Sequence, residues 1–236
     1  MRDLPPPLPP ETRTVGQLVA ETIRAYGDHF WRVLPLGIPL AVADQLSVRQ
    51  HIAVQILIFW VCAPLFIAGY LLACRVVLAD ARITPTAVAV ATLIWLPFPP
   101  LRAISLNLLG VAWLAFIGLA VPAAMVERLS FRDALERGRR LGTADYVHAL
   151  GSLAALMVVV GISSYTLSVL LHTQGDNGQR AAVFLSDLVL GPLLFLGGAL
   201  LYVDQAARAV RSGPDAALHS PVDADATGRP DPQVES

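Results

Sequence analysis

Two carboxylates set inside apolar stretches are the residues of this sequence best placed to do chemistry. Asp44 lies in the apolar stretch 33–48, and Asp187 lies in a second stretch at 181–203. An ionisable side chain in a lipid environment costs about 3 kcal/mol or more, so such residues mark proton or ion paths unless they are paired. We therefore predict that Asp44 and Asp187 form a candidate intramembrane polar site for a proton or a cation.

The same two residues also fit a purely structural interpretation. Asp187 shares a helical face with Gly191, which turns it towards the inside of a helix bundle. Arg49 and Arg180 lie close to the ends of the same stretches and can pair with the carboxylates. The sequence leaves both interpretations open.

The sequence contains no pattern typical of catalysis or of cofactor binding. His51 and His172 fall at the ends of apolar stretches, but they lack the short spacing at which metal ligands usually occur. The G-x-S-x-G, H-E-x-x-H, Walker and G-x-G-x-x-G motifs are all missing. We therefore expect a protein that is not an enzyme and that holds no cofactor, metal ion or catalytic residue.

A run of arginines at residues 128–140 is a further candidate for binding. Arg137, Arg139 and Arg140 lie on the polar side of a short amphipathic segment. A basic residue near a membrane surface attracts anionic headgroups by about 1 kcal/mol. We predict that these three arginines contact anionic phospholipids, with neighbouring acidic residues offsetting part of the attraction. A role in setting the membrane orientation is the alternative.

The composition places these residues in a membrane protein. The chain has 236 residues, of which 55% are hydrophobic and 15% charged, where soluble domains carry about 25% charged residues. Its mean hydropathy is +0.60. The net charge of −1 gives no electrostatic basis for binding nucleic acid. The lipid bilayer is therefore the first partner that the sequence predicts.

Six apolar stretches predict an all-α fold, a polytopic integral membrane bundle of about six transmembrane helices. They cover residues 33–48, 52–74, 83–98, 103–126, 149–171 and 181–203. About 20 residues span a bilayer core, and the first and third stretches are shorter and contain prolines. Only helices and closed barrels can span lipid, and these runs are too continuous for barrel strands.

The arginines predict the orientation. All 17 basic residues are arginine, and with six spans only Arg49, Arg102 and Arg180 fall on one side. Cytoplasmic loops carry the excess of positive charge, so both termini are predicted to be cytoplasmic. A basic set made only of arginine is typical of GC-rich genomes, and we expect a multi-pass protein of the bacterial cytoplasmic (inner) membrane.

Two further segments are predicted to be amphipathic helices at the cytoplasmic interface. They cover 14–30 and 130–141, and each begins with Thr or Ser followed three residues later by Gln or Asp, a pattern typical of a helix start. The proline-rich segment 1–13 and the polar tail 212–236 are predicted to be disordered. The rest of the chain, residues 14–211, is predicted to form a single membrane domain.

Three short motifs lie along this domain. They are Thr14-Val-Gly-Gln-Leu18, Pro122-Ala-Ala-Met-Val-Glu127 with an arginine-rich helix behind it, and Leu201-Tyr202-Val203-Asp204. In these motifs the chain resembles a family of uncharacterised bacterial polytopic membrane proteins, often labelled glycerophosphoryl diester phosphodiesterase membrane domain. The resemblance implies a six-helix membrane domain of unknown activity linked to envelope or lipid processes, without a phosphodiesterase domain. The family has an arginine two residues after the aspartate, where this chain has Ala206 and only later Arg208.

These observations lead to one expected function and one alternative. We expect a non-enzymatic scaffold or accessory component of an envelope or lipid-related system, with a membrane protein as its partner. The alternative is a small-solute or ion transporter that uses Asp44 and Asp187. Its path would include the hydroxyl-bearing residues of the stretch 149–171, which can equally serve to pack helices; they are Ser163, Ser164, Tyr165, Thr166 and Ser168.

Overall fold

The structure is an all-helical bundle. A computed structural model describes residues 9–78, 80–103, 107–171 and 175–211, and no strand occurs within these ranges. The α-helices of this part of the chain are α1 (Val15–Asp28), α2 (Phe30–Val33), α3 (Ile38–Ser47), α4 (Ile52–Val61), α5 (Ala63–Val77), α6 (Pro85–Trp95), α7 (Phe98–Ala103), α8 (Asn107–Ile117), α9 (Ala120–Val126), α10 (Phe131–Ala144), α11 (Tyr146–Leu171) and α12 (Gly175–Arg211). The predicted all-α class is confirmed.

Side-chain caps begin two of these helices at the predicted positions. The Thr14 hydroxyl accepts a hydrogen bond from the backbone N–H of Gln17, and Gln17 Oε1 accepts one from the N–H of Thr14. Ser130 caps α10 by accepting from the N–H of Asp133. Each cap satisfies donors that the first turn of a helix leaves without a partner.

Three helical runs are long and apolar enough to cross a membrane. They are Leu108–Val126, formed by α8 and α9, and the helices α11 and α12. A fourth candidate is the pair of α4 and α5, which is bent by 49° at its break and forms either one broken span or a re-entrant loop. The structure thus supports a membrane protein with three such spans among the described residues, or four with the bent pair.

The first and third apolar stretches are shorter and interrupted. A 3-10 turn at Leu34–Gly37 separates α2 from α3, and here Pro35 and Pro39 remove backbone donors. The third stretch is the apolar run Pro85–Leu101, which contains α6 and the start of α7. Neither stretch has the length of a full membrane helix in the structure.

Ion pairs mark the two ends of the bundle. At one end the Arg13 guanidinium lies 2.7 Å from the Asp204 carboxylate, so the segment before α1 meets the end of α12. At the other end Arg49, between α3 and α4, lies 2.6 Å from Asp176 at the start of α12. The α12 helix has 37 residues, which is about 55 Å of helix, and it connects the two ends.

Two glycines let α10 lie directly on the break between α8 and α9. A Cβ added at Gly138 would lie within 2.4 Å of the Ala120 Cβ, and one added at Gly142 would lie 2.2 Å from the Phe116 carbonyl oxygen. The spacing of four residues puts both glycines on one helical face. The α10 backbone therefore touches the broken helix without intervening side chains.

Some predicted features lie outside the described residues. They are residues 1–8 of the proline-rich segment, the whole tail 212–236 and His172. Residues 9–13 are described; here a 3-10 turn at Pro10–Thr12 leads into the ion pair of Arg13 with Asp204 on α12.

Candidate functional site

The packing of α3 on α12 sets the surroundings of Asp44 and Asp187. The backbone of α12 leaves no room for a side chain at Gly37. Further along α3, Gln45 Nε2 donates a hydrogen bond to the Arg180 carbonyl at 2.8 Å, so the two helices run antiparallel. Both carboxylates are half-buried. The structure thus brings the two segments that carry them to one helix interface.

The neighbours at this end have roles of their own. Arg49, predicted as a partner for Asp44 and Asp187, forms an exposed ion pair with Asp176 at 2.6 Å. His51 is the N-cap of α4, where its Nδ1 accepts a hydrogen bond from the N–H of Ala53 at 3.4 Å. Within the described ranges, no group of three or more His, Cys, Asp or Glu side chains is arranged to hold a metal ion.

The most deeply buried charge of the described chain lies at the opposite end, at Asp204. Its side chain has no exposed surface, and its Oδ1 accepts a hydrogen bond from Arg13 at 2.7 Å. Its Oδ2 lies 3.7 Å from Nε2 of His148. A buried carboxylate needs such partners, because removing an isolated charge from water costs several kcal/mol.

Arg208 ties further groups to this pair. It lies one turn after Asp204, and it donates to Asp145 at 2.7 Å and to the Arg13 carbonyl at 2.6 Å. Gln205 is fully buried and donates to the Asp145 carbonyl at 3.1 Å. We call this group the clasp; its members are Arg13, Asp145, His148, Asp204, Gln205 and Arg208. The clasp joins the segment before α1, the start of α11 and the end of α12.

A second link lies beside the clasp at the end of α9. The Tyr202 hydroxyl donates to Glu127 Oε1 at 3.0 Å, and Arg137 Nε donates to the same carboxylate at 3.0 Å. The Tyr-x-Asp motif therefore anchors α12 twice. Tyr202 holds it to the end of α9, and Asp204 holds it to the segment before α1.

Each of the three arginines predicted to contact lipid has a carboxylate partner. Arg137 binds Glu127, as described above. Arg139 and Arg140 both bind Glu136, at 3.1 and 3.0 Å. Hydrogen bonds from Arg139 and Arg140 lower the pKa of Glu136, so this carboxylate keeps its charge. Two guanidinium groups on one carboxylate leave one net positive charge on an exposed surface.

The second half of α11 is exposed although its composition is that of a membrane helix. Only 6% of the most apolar 18-residue window of α11 is buried inside the protein. Apart from the nearby backbone of α11 itself, no atom of the described residues lies within 4 Å of the place where Gly161 would carry a Cβ. We call this surface the open face of α11; its members are Val158, Gly161, Ile162, Tyr165 and Val169, all exposed. At Gly161, therefore, no other helix of the described chain packs against α11.

Sequence reasoning missed the clasp. A local signal existed, since Asp204 and Arg208 are one helical turn apart, and Asp145 and His148 have a similar spacing at the start of α11. The pairing itself joins Arg208 to Asp145 over 63 positions and Arg13 to Asp204 over 191 positions. No periodicity in the sequence reports contacts of that range.

Together these features define an all-helical protein with several helices that can cross a membrane. Comparison of the chain with protein families, with curated proteins and with solved structures finds no match. The family resemblance drawn from the three sequence motifs therefore stays a prediction.

Proposed function

We propose that the protein spans the bacterial cytoplasmic membrane six times with both termini in the cytoplasm. The clasp supports an even number of crossings, because it holds the segment before α1 beside the end of α12. Two of the six crossings are then shorter than a full membrane helix. The first passes through the 3-10 turn at Leu34–Gly37, and the other is the 17-residue run Pro85–Leu101, which is at the lower limit of length for a span.

Helices α1 and α10 lie near the clasp end, which we assign to the cytoplasmic interface. Leu18 and Thr22 are buried on α1, and Ala134 and Leu141 are buried on α10. The arginine-rich side of α10 is exposed at this same end. An excess of exposed arginine is typical of the cytoplasmic side of a membrane protein.

Our conclusion on function is a non-enzymatic scaffold or accessory subunit, and the open face of α11 carries it. This face presents the small residue Gly161 and the hydroxyl of Tyr165 to the surroundings of the bundle. Small residues and hydroxyl groups on membrane helices are typical of contacts between helices. The occupant that fits is a transmembrane helix of a partner protein. The family resemblance supports placing that partner in an envelope or lipid-related system.

The clasp supports the same conclusion. Its charged members Arg13, Asp145, Asp204 and Arg208 bind one another across three segments of the chain. A connected network of buried polar groups fixes one arrangement of the elements that it joins. A fixed cytoplasmic end is what a scaffold requires.

Purification from the native membrane tests the proposal. The full-length protein is isolated in a mild detergent, and mass spectrometry identifies the proteins and lipids that accompany it. We expect a stoichiometric membrane protein whose recovery falls at least ten-fold in Gly161→Trp, which fills the open face. Leu93→Trp, on an exposed position of α6, is the matched control and should retain the partner. A protein recovered alone contradicts the accessory-subunit proposal, and a partner retained by both variants contradicts the open face of α11 as its binding site.

Transport is the second candidate, favoured by the α3–α12 interface to which Asp44 and Asp187 belong. In proteoliposomes, Asp44→Asn and Asp187→Asn should each abolish proton-coupled or cation flux if these carboxylates bind the transported ion. Asp176→Asn changes an exposed carboxylate of the same helix and should leave the flux unchanged. Absence of flux in the unmodified protein, or equal flux in all variants, contradicts a transport function.

A further inference from the structure

The centre of the bundle contains a partly open apolar cavity of about 180 Å³. It lies where three pairs of helices are interrupted. Phe59 and Phe66 flank the break between α4 and α5, and Trp95 and Phe98 flank the break between α6 and α7. Gly118, in the break between α8 and α9, completes this part of the wall. A cavity of about 150 Å³ already binds benzene, so this one has the size of a ligand site.

Aromatic rings form one side of the cavity. The ring centroids of Phe59 and Phe66 lie 5.8 Å apart, and those of Phe66 and Trp95 lie 4.6 Å apart. Phe98 continues the row at 4.7 Å from Trp95. Rings that support one another in this way make a rigid apolar wall, because each has few rotamers and a large contact area.

The cavity is elongated along α12. Its lining includes Gly191, Leu194, Gly198 and Leu201, which follow one face of the helix over about 15 Å. A Cβ added at Gly198 would come within 3.3 Å of the Tyr70 ring, so the glycine keeps this part of the space open. A long apolar space parallel to a membrane helix has the shape of an acyl chain.

One polar group at the wall has an unmet hydrogen bond. The indole Nε1 of Trp95 is buried and has no acceptor among the described residues. The neighbouring indole of Trp113 donates to the Ile94 carbonyl at 3.0 Å, and the Tyr70 hydroxyl lies 3.5 Å from the Gly118 carbonyl. A buried donor without an acceptor is costly, so an occupant that carries an oxygen is favoured over a pure hydrocarbon.

We infer that the cavity binds the acyl chain of a lipid, with the acyl carbonyl as the acceptor for Trp95. The inference rests on the proposed function, because acyl chains surround the bundle only if it lies in a membrane. None of the described residues that line the cavity is charged, so the site suits the chain rather than a headgroup. A phospholipid ester and a free fatty acid share this chemistry.

Photolabelling tests the inference. The full-length protein is placed in vesicles of phosphatidylcholine and phosphatidylglycerol that contain, in separate samples, a phosphatidylcholine or a palmitic acid with a diazirine in its chain. After irradiation, mass spectrometry should find adducts on Phe66 inside the cavity and on the exposed Leu108. Val111→Phe fills the cavity and should lower the internal adducts at least ten-fold. The matched control Leu109→Phe, on an exposed position of α8, should change neither, and Ala91→Met fills the same cavity if Val111→Phe does not fold.

Each outcome separates one part of the inference. Internal adducts from the phospholipid probe identify an ester as the occupant, and internal adducts from palmitic acid alone identify a free acid. Trp95→Phe keeps an aromatic ring but loses the N–H, and it should lower the labelling of Phe66 about five-fold. Undiminished labelling of Phe66 in this variant overturns the role of the acyl carbonyl as the acceptor for Trp95. Adducts at Leu108 without any on Phe66 overturn the cavity site while the membrane proposal stands. Absence of adducts at both places contradicts the membrane proposal itself.

Discussion

The guanidinium of Arg13 and the carboxylate of Asp204 lie 2.7 Å apart, although 191 positions separate them in the chain. Arg13 is 11% exposed and Asp204 is fully buried, so water solvates neither charge well. The pair closes the bundle where the described chain begins and ends. The position of the segment before α1 therefore depends on this contact.

Loss of this contact should be costly. Arg13→Gln leaves the buried Asp204 without its cation and should lower the free energy of unfolding by about 3–5 kcal/mol. The exposed pair of Arg49 and Asp176 provides the control, since Arg49→Gln should cost no more than about 1 kcal/mol. Unfolding of the full-length protein in mixed detergent micelles with increasing SDS measures both. Equal costs for the two variants would contradict a structural role for the clasp.

The parts of the fold that the sequence predicts are those that depend on residues close together in the chain. The caps at Thr14 and Ser130 are visible in the sequence because each partner lies three residues further on. Hydropathy identifies the apolar stretches in the same way, because it depends only on residues that are consecutive in the chain. The clasp is invisible to both, because nothing in the sequence around Arg13 indicates which aspartate it meets.

The candidate sites show the same limit. Asp44 and Asp187 are conspicuous because they interrupt apolar stretches, but the helix opposite each of them is set by contacts such as the one at Gly37. The cavity leaves no pattern, since Phe66 and Trp95 are ordinary apolar residues until the breaks in their helices bring them together.

The glycines of α10 should not tolerate a methyl group. Gly138→Ala places a Cβ within 2.4 Å of the Ala120 Cβ, and Gly142→Ala places one within 2.2 Å of the Phe116 carbonyl oxygen. Each variant should lose about 1–3 kcal/mol of stability. Gly16 is the matched control, because it is also helical and has nothing within 4 Å of its Cβ position. Gly16→Ala should be neutral or stabilising by up to about 1 kcal/mol. The same SDS titration compares the three, and equal behaviour would show that α10 does not lie on the helix break.

The arginines of α10 should retain anionic lipid in proportion to their uncompensated charge. Replacing Arg137, Arg139 and Arg140 together by Gln should lower the phosphatidylglycerol that stays bound in native mass spectrometry by several-fold. Glu136→Gln frees two guanidinium groups and should raise it. Both effects should weaken as the salt concentration rises before detergent extraction, because exposed charges are screened. An unchanged amount of bound phosphatidylglycerol in both variants would contradict the headgroup contact. The arginines would then serve only to set the membrane orientation.

The six-span proposal makes a prediction that four spans do not share. Both native cysteines are buried, so single cysteines at the exposed positions Thr12, Gln50 and Thr143 can be labelled with an impermeant maleimide over a low background. In intact cells with a permeable outer layer, Gln50→Cys should react, whereas Thr12→Cys and Thr143→Cys should react only after the membrane is opened. Gln50 distinguishes six spans from four, because it stays on the side of Thr12 if the stretch 33–48 does not cross. Thr143 tests whether α6–α7 crosses, because it lies after α6–α9 in the chain. If the interrupted run α6–α7 did not cross, one crossing would be lost and Thr143→Cys would react from outside. The clasp would then have to join Arg13 and Asp204 from opposite sides of the membrane, which their contact of 2.7 Å excludes.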